Sequence, residues 1–450
     1  MENLDTTVIA TALPHMASTF DVTAVAVSIG MTAYMLTLAI FIPIGGWVAD
    51  RFGSRTVFGG AIVVFTVASL LCGMANGLWE FTAARILQGI GGALMVPVGR
   101  LIVLRSTEKR YLMRSIAYIM WPGLAAPIIG PAIGGFISTY SSWRWIFLLN
   151  VPIGIVGVAL TAYFIPNQKE AGRRPFDVTG FALSGMALTC LMYGMELIGQ
   201  LDVQWHIAAA VLAAGALSGI LAVRHLLRAA HPLLNLGPLR IPTLRVSIGG
   251  GSLYIIAVNV APFMLPLLFQ IGFGMNAFAS GLLVLAYAAG NLGMKTVTTP
   301  ILKRYGFRSV MIVNGLLTAA TIAACCAFSP TTPHTVIVVV LLIGGLCRSM
   351  QMTSINTLAF ADVPPAAMSS ASTLFSVTQQ MTIGLGIAFG AIALHFAVWL
   401  HGGTQLALAD FRVAFAVVAA LSLISVISFI GIEGDAGADV SGHRKYQKTA

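Results

Sequence analysis

A chain of 450 residues that is 58% hydrophobic and only 9% charged, with a mean hydropathy of +0.90, lies far from the roughly 25% charged content of soluble globular domains. It reads as an integral membrane protein. The net charge of +10 would point to nucleic acid in a soluble protein, but here it falls almost wholly in alternate loops, so it is an orientation signal and no nucleic-acid partner is expected. Cys72, Cys190, Cys325, Cys326 and Cys347 all sit in apolar runs without metal-ligand or disulfide spacing, and read as small core residues. No metal and no cofactor is expected.

In chain order, the start carries Glu2 and Asp5 where a cleavable signal would have a basic segment. Apolar character begins at Leu4, so the first helix is either short or entered by the chain partway along. Windows near 20 residues predict spanning helices at about 4 to 20, 25 to 48, 57 to 76, 79 to 103, 113 to 138 and 145 to 165. A pair follows at about 179 to 199 and 205 to 224. Six more lie at about 246 to 270, 277 to 299, 309 to 328, 335 to 360, 370 to 398 and 411 to 432. The expected fold class is all-α integral membrane, with fourteen transmembrane helices.

Lysine and arginine cluster after even-numbered helices, as with Arg105, Lys109, Arg110 and Arg114, while loops after odd-numbered helices hold little beyond Arg144 and Arg412. The positive-inside rule then puts both termini in the cytoplasm. The expected organisation is an N-terminal six-helix bundle (1–165), an inserted helix pair with cytoplasmic linkers (166–242), a C-terminal six-helix bundle (243–432) and a disordered cytoplasmic tail (433–450).

Gly45 to Phe58, GGWVADRFGSRTVF, is a tight charged turn between apolar runs. Gly46 and Gly53 suit a sharp reversal with close backbone approach. Asp50 can pair with Arg51, with Arg55 or with a neighbouring helix end, making a latch that holds one access state. A weaker copy at Thr299 to Ile312 repeats the Arg-x-Gly-x-Arg spacing as Arg304, Gly306 and Arg308, with Lys303 standing 253 residues after Asp50. Parallel halves with a substrate site between them near the midplane are what such a repeat implies.

Helix 4 contains Arg85-Ile-Leu-Gln88-Gly89-Ile-Gly91-Gly92. An arginine inside a span costs roughly 2.5–3.5 kcal/mol, so it should face the bundle and find an acid or carbonyls. The three glycines allow close helix approach. Helix 5 carries Gly130, Pro131, Gly134 and Gly135 in a kinked, small-residue face.

The turn Gly46-x-x-x-Asp50-Arg51-x-Gly53-x-Arg55 resembles the signature loop of the major facilitator superfamily, and the Arg85 helix resembles that superfamily's helix 4 motif. The GPxxGG core of helix 5 is similar to the superfamily's antiporter motif. Leu4-Asp5-Thr6-Thr7 through Pro14, Trp143 to Gly154, Arg173 to Asp177 and the Gln379-Gln380 helix extend the likeness, over nearly the whole chain, to the fourteen-helix drug:proton antiporter branch. The resemblance implies proton coupling through Asp5, with Arg85 as its partner candidate, and an antiport role for Gly130, Pro131, Gly134 and Gly135. Counted along the helices, Asp5 lies toward the cytoplasm and Arg85 toward the outside, more than about 10 Å apart at about 1.5 Å rise per residue. Direct pairing is therefore the weaker expectation.

Polar residues inside other spans are functional candidates by default. Lys295 and Arg348 could bind an anionic substrate or pair structurally; Glu196, Asn356, Gln379 and Gln380 are further candidates. Tyr34, Tyr118, Trp121 and Tyr254 complete the candidate cavity lining. The chain holds no HExxH, GxSxG or P-loop motif, so neither an enzyme nor a nucleotide-driven pump is expected. The reading is a monomeric, proton-coupled antiporter of the bacterial inner membrane that exports small amphipathic compounds and has substrate, protons and the lipid bilayer as partners. The alternatives are a facilitator or importer of one metabolite, and a non-transporting membrane sensor.

Overall fold

The computed structural model describes residues 2–22, 24–108, 111, 114–116, 118, 136–137, 140–167, 175–199, 204–275, 277–402 and 406–442. The first block holds α1 (Glu2–Phe20), α2 (Ala24–Phe41), α3 (Gly45–Phe52), α4 (Ser54–Met74), α5 (Leu78–Ser106), α6 (Arg144–Leu148) and α7 (Asn150–Phe164). A 3-10 turn, Ile42–Ile44, joins α2 to α3. The pair α8 (Val178–Gly199) and α9 (Trp205–Arg228) follows. The second block holds α10 (Pro242–Leu267), α11 (Ala277–Gly293), α12 (Thr298–Cys325), α13 (His334–Ala361), α14 (Met368–Leu400) and α15 (Leu408–Ile430).

Among the described residues, 11 helices are long and apolar enough to cross a membrane. The helices α1 and α11 occupy two more of the expected spans, and the span expected at 113 to 138 falls largely outside the described residues, so the arrangement is compatible with fourteen. The surface of α4 shows why lipid is the solvent. One stripe, Ala61, Phe65, Ala68 and Cys72, is buried, while Val63, Val67, Leu70 and Leu71 on the opposite side are exposed. A helix apolar all round is stable only where its outer face meets hydrocarbon.

Helices break where backbone chemistry demands it. Gly53 separates α3 from α4 at φ 93°, and Gly306 bends α12 at φ 72°, so both copies of the charged turn use the positive φ values that a Cβ disfavours. Inside α10, Pro262 and Pro266 remove backbone donors, and the helix runs on into a π turn at Leu268–Gly272.

At the end of the molecule that carries these two glycines, the blocks share one apolar core. Ala49, Val98 and Leu101 pack in the same cluster as Leu302, Phe307, Leu358 and Phe375. At the opposite end the cores are separate: Val8, Phe20, Cys72, Phe81 and Phe147 in the first block, Met264, Phe269, Phe411 and Phe415 in the second. The helix α8 packs on both α2 and α14 and so bridges the blocks.

The tail differs from the expected disorder from residue 433. A short helix, α16 (Ala438–Ser441), ends the described chain, with Val440 buried in the shared core and Gly437 seated against Phe307. A polar, glycine-containing composition hid one valine that finds an apolar niche, and that contact orders the segment up to residue 442.

Candidate functional site

Asp5 and Arg85 meet. The guanidinium of Arg85 donates to Asp5 Oδ2 at 2.5 Å, and the two side chains are 1% and 0% exposed. The expected separation fails because distance along a helix does not fix depth. A helix tilts and shifts to place a costly charge beside its counter-ion. Gln88, one turn after Arg85, ties the pair to its surroundings: its Nε2 donates to Asp5 Oδ1 at 3.1 Å and to Ser69 Oγ at 2.8 Å, and its Oε1 accepts from Arg85. Asn150 Nδ2 donates to Asp5 Oδ1 at 3.5 Å. Tyr34 lies with its ring 4.1 Å from the Arg85 guanidinium carbon and is fully buried, so it is a wall of this cluster rather than of an open cavity.

Close helix approach makes the cluster possible. A Cβ on Gly91 would meet Phe65 N at 2.7 Å and Ala61 O at 2.9 Å, and one on Gly89 would meet Tyr34 O at 2.9 Å. The glycines thus seat α5 against α4 and α2, as their pattern suggests. Gln88, Ser69 and Asn150 were not singled out as site residues from the sequence; the available signal was a buried-type polar residue inside each apolar span.

At the charged turn, Asp50 accepts from Arg105 Nη2 at 2.9 Å, so its partner is the neighbouring helix end. Arg51 instead stacks on Trp47 at 5.3 Å; Arg55 is exposed. Gly46 presses on the second block, where a Cβ would lie 2.6 Å from Thr373 Oγ1. Beside it, Ser372 Oγ donates to Pro97 O at 3.2 Å, and Arg100 donates to Ser376 Oγ at 3.2 Å and to Gln379 Oε1 at 2.9 Å. The halves are therefore held at this end by α3 and α5 against α14. Arg100 is not among the residues expected from the sequence; a second arginine in the span of Arg85 is its signal.

In the second block, Lys295 Nζ donates to Thr353 Oγ1 at 2.6 Å, and Arg348 Nη2 donates to Asn259 Oδ1 at 3.1 Å. Both cations are half-buried, as are Gln379 and Gln380. Tyr254 is fully buried with its hydroxyl 3.2 Å from Thr318 Oγ1, and Asn356 is buried and donates to Met352 O of its own helix. These two belong to packing within the block, not to a cavity wall. Tyr118 is 62% exposed and accepts from Arg114 Nε at 3.1 Å. Trp121, Gly130, Pro131, Gly134 and Gly135 lie outside the described residues, as does the side chain of Glu196.

At the opposite end, Arg144 donates to Ala75 O at 2.6 Å and stacks on Trp143 at 4.7 Å. It caps the carbonyl end of α4, which explains a cation in an otherwise uncharged loop.

Comparison with known proteins agrees with this architecture. Residues 1–386 and 250–445 match the Major Facilitator Superfamily. The chain is 35% identical over 394 residues to "Putative multidrug resistance protein MdtD" of Pectobacterium carotovorum subsp. carotovorum (strain PC1), covering 88% of this chain and 84% of that protein. It is 34% identical, with the same coverage, to the protein of that name from Salmonella paratyphi A (strain ATCC 9150 / SARB42). Among solved structures, the human organic anion transporter MFSD10 (TETRAN) superposes with a TM-score of 0.67 at 13% identity, covering 95% of this chain and 96% of its own. The proton:xylose symporter XylE does so with a TM-score of 0.65 at 14% identity, covering 98% and 95%. With two helical blocks closed at one end by a glycine-broken charged turn, and with these relatives along most of its length, the chain belongs to the major facilitator superfamily of membrane transport proteins.

Proposed function

We propose that the protein is a monomeric, proton-coupled antiporter of the bacterial inner membrane that exports small amphipathic organic compounds. Two six-helix halves, residues 1–165 and 243–432, rock about a central site, with residues 166–242 as an inserted pair and both termini in the cytoplasm. The multidrug-resistance name of the relatives supports the substrate class. One observation carries the coupling: the carboxylate of Asp5, sealed inside the first half, has Arg85 as its counter-ion.

The pair joins α1 to α5, so its geometry follows any movement of one helix against the other. When Asp5 takes up a proton, its charge is cancelled and the hold on Arg85 weakens. When the proton leaves, the ion pair re-forms. A change of access state that moves α1 against α5 thereby exchanges a proton for substrate. With cytoplasmic termini, the shared core and the Arg100–Gln379 and Ser372–Pro97 contacts close the cytoplasmic side, and the separate cores belong to the outer side.

The test is substrate flux in proteoliposomes with an imposed pH gradient. Asp5→Asn is expected to lose gradient-driven transport while still binding substrate. Wild-type rates in that variant would rule Asp5 out as the coupling carboxylate.

A further inference from the structure

The cluster around Arg85 has a counterpart in the second half that lacks its acid. Tyr287 stands 253 residues after Tyr34, the interval that separates Lys303 from Asp50, and Asn259 stands 254 residues after Asp5. Arg348 and Gln351 repeat the spacing of Arg85 and Gln88. The contacts repeat as well: Arg348 lies over the Tyr287 ring at 5.8 Å and donates to Asn259 Oδ1 at 3.1 Å, as Arg85 lies over Tyr34 and donates to Asp5.

Three differences matter. Asn259 is a neutral acceptor, so it orients the guanidinium without cancelling its charge. Gln351 turns away, accepting from Asn314 Nδ2 at 2.9 Å and donating to Met311 O at 3.2 Å. Arg348 is half-buried, whereas Arg85 is sealed. Among the described residues no carboxylate pairs with Arg348, and none pairs with Lys295 or Arg100. Arg348 therefore keeps its full charge, and a charge in low-dielectric surroundings attracts an opposite one more strongly than in water.

We propose that Arg348, held between Asn259 and Tyr287, is the subsite for an anionic group, a carboxylate or similar oxyanion, on the transported compound. The planar guanidinium, fixed on one side by the amide and backed by the ring, presents its remaining N–H fork to an oxyanion. The acid that Asp5 supplies to Arg85 in the first half is supplied to Arg348 by the substrate in the second. This reading rests on the protein being a transporter, but not on proton coupling.

Binding of matched probes to the purified full-length protein in phosphatidylcholine tests it. Benzoate, 1-naphthoate and dodecanoate are each compared with their neutral amides. Wild-type protein is expected to favour at least one carboxylate over its amide by about tenfold or more. Arg348→Gln should lose that preference without changing affinity for the amide, and Arg348→Lys should keep part of it. Asn259→Asp, which rebuilds the internal pair of the first half and preserves packing, should likewise lose carboxylate binding and spare the amide.

No carboxylate preference in the wild type for any probe, or a preference that survives both Arg348→Gln and Asn259→Asp, would overturn the subsite. Loss of the preference on adding phosphatidylglycerol would assign Arg348 to a lipid headgroup and overturn it too. Failure of gradient-driven transport with the preference intact would sink the antiport reading and leave the subsite standing.

Discussion

Asp50 reaches past the two arginines of its own turn to Arg105, 55 residues later, at a distance of 2.9 Å. The latch therefore couples the last turn of α3 to the end of α5, the helix that also carries Arg85 and Arg100. Asp50→Asn and Arg105→Gln should each slow transport by about three- to tenfold, the equivalent of roughly 1 kcal/mol between access states. The double variant should be no slower than either single one, because both remove the same interaction. Initial rates in proteoliposomes for the four proteins would show whether the effects couple or add.

Arg85→Gln strands a buried carboxylate, and removing one member of a buried pair costs about 3–5 kcal/mol. Asp5→Asn likewise leaves the Arg85 cation without its counter-ion, so both variants should melt well below the wild type in detergent. Combining the two substitutions should recover part of the loss.

Helix spacing can be tested by two glycines of opposite kind. Gly91→Ala puts a methyl group against Phe65 N and Ala61 O and should destabilise by about 1–3 kcal/mol. Gly60 has nothing within 4 Å of a Cβ, so Gly60→Ala should be neutral or stabilising by up to about 1 kcal/mol through helix propensity. Thermal unfolding of both variants would separate steric from conformational effects.

Asp177 staples the inserted pair. Its carboxylate accepts from Gly180 N at 2.8 Å, His225 Nε2 at 2.8 Å and Leu233 N at 3.1 Å. Burial pushes its pKa up, but the Gly180 amide, His225 and the Leu233 amide outweigh it and leave the carboxyl below its ordinary value. A depressed folded pKa means stability that is present above the unfolded value, near 4, and lost as pH falls through the folded one. Asp177→Asn should lower the melting temperature at pH 7 and pH 5, and its deficit should shrink below about pH 4.

Local, additive solvation governs the features that could be read along the chain. Apolar windows placed the spans, lysine and arginine counts imply their orientation, and of the two glycines expected at the reversal, Gly46 and Gly53, it is Gly53 that takes the positive φ, which a residue without a Cβ adopts cheaply, while Gly46 lies within α3. The resemblance to the superfamily rested on the same local motifs. The tertiary structure decided which charges meet. Asp5 finds Arg85 80 residues away, Asp50 finds Arg105, and Arg100 finds Gln379 across 279 residues. It also moved Tyr34 and Tyr254 from cavity wall to interior and ordered the tail through Val440. Hydropathy averages over a helix's rotation and is blind to its tilt, and those two quantities set the depth and face of every side chain. They are fixed only when neighbouring helices pack, so the spans were legible one at a time and the partners were not.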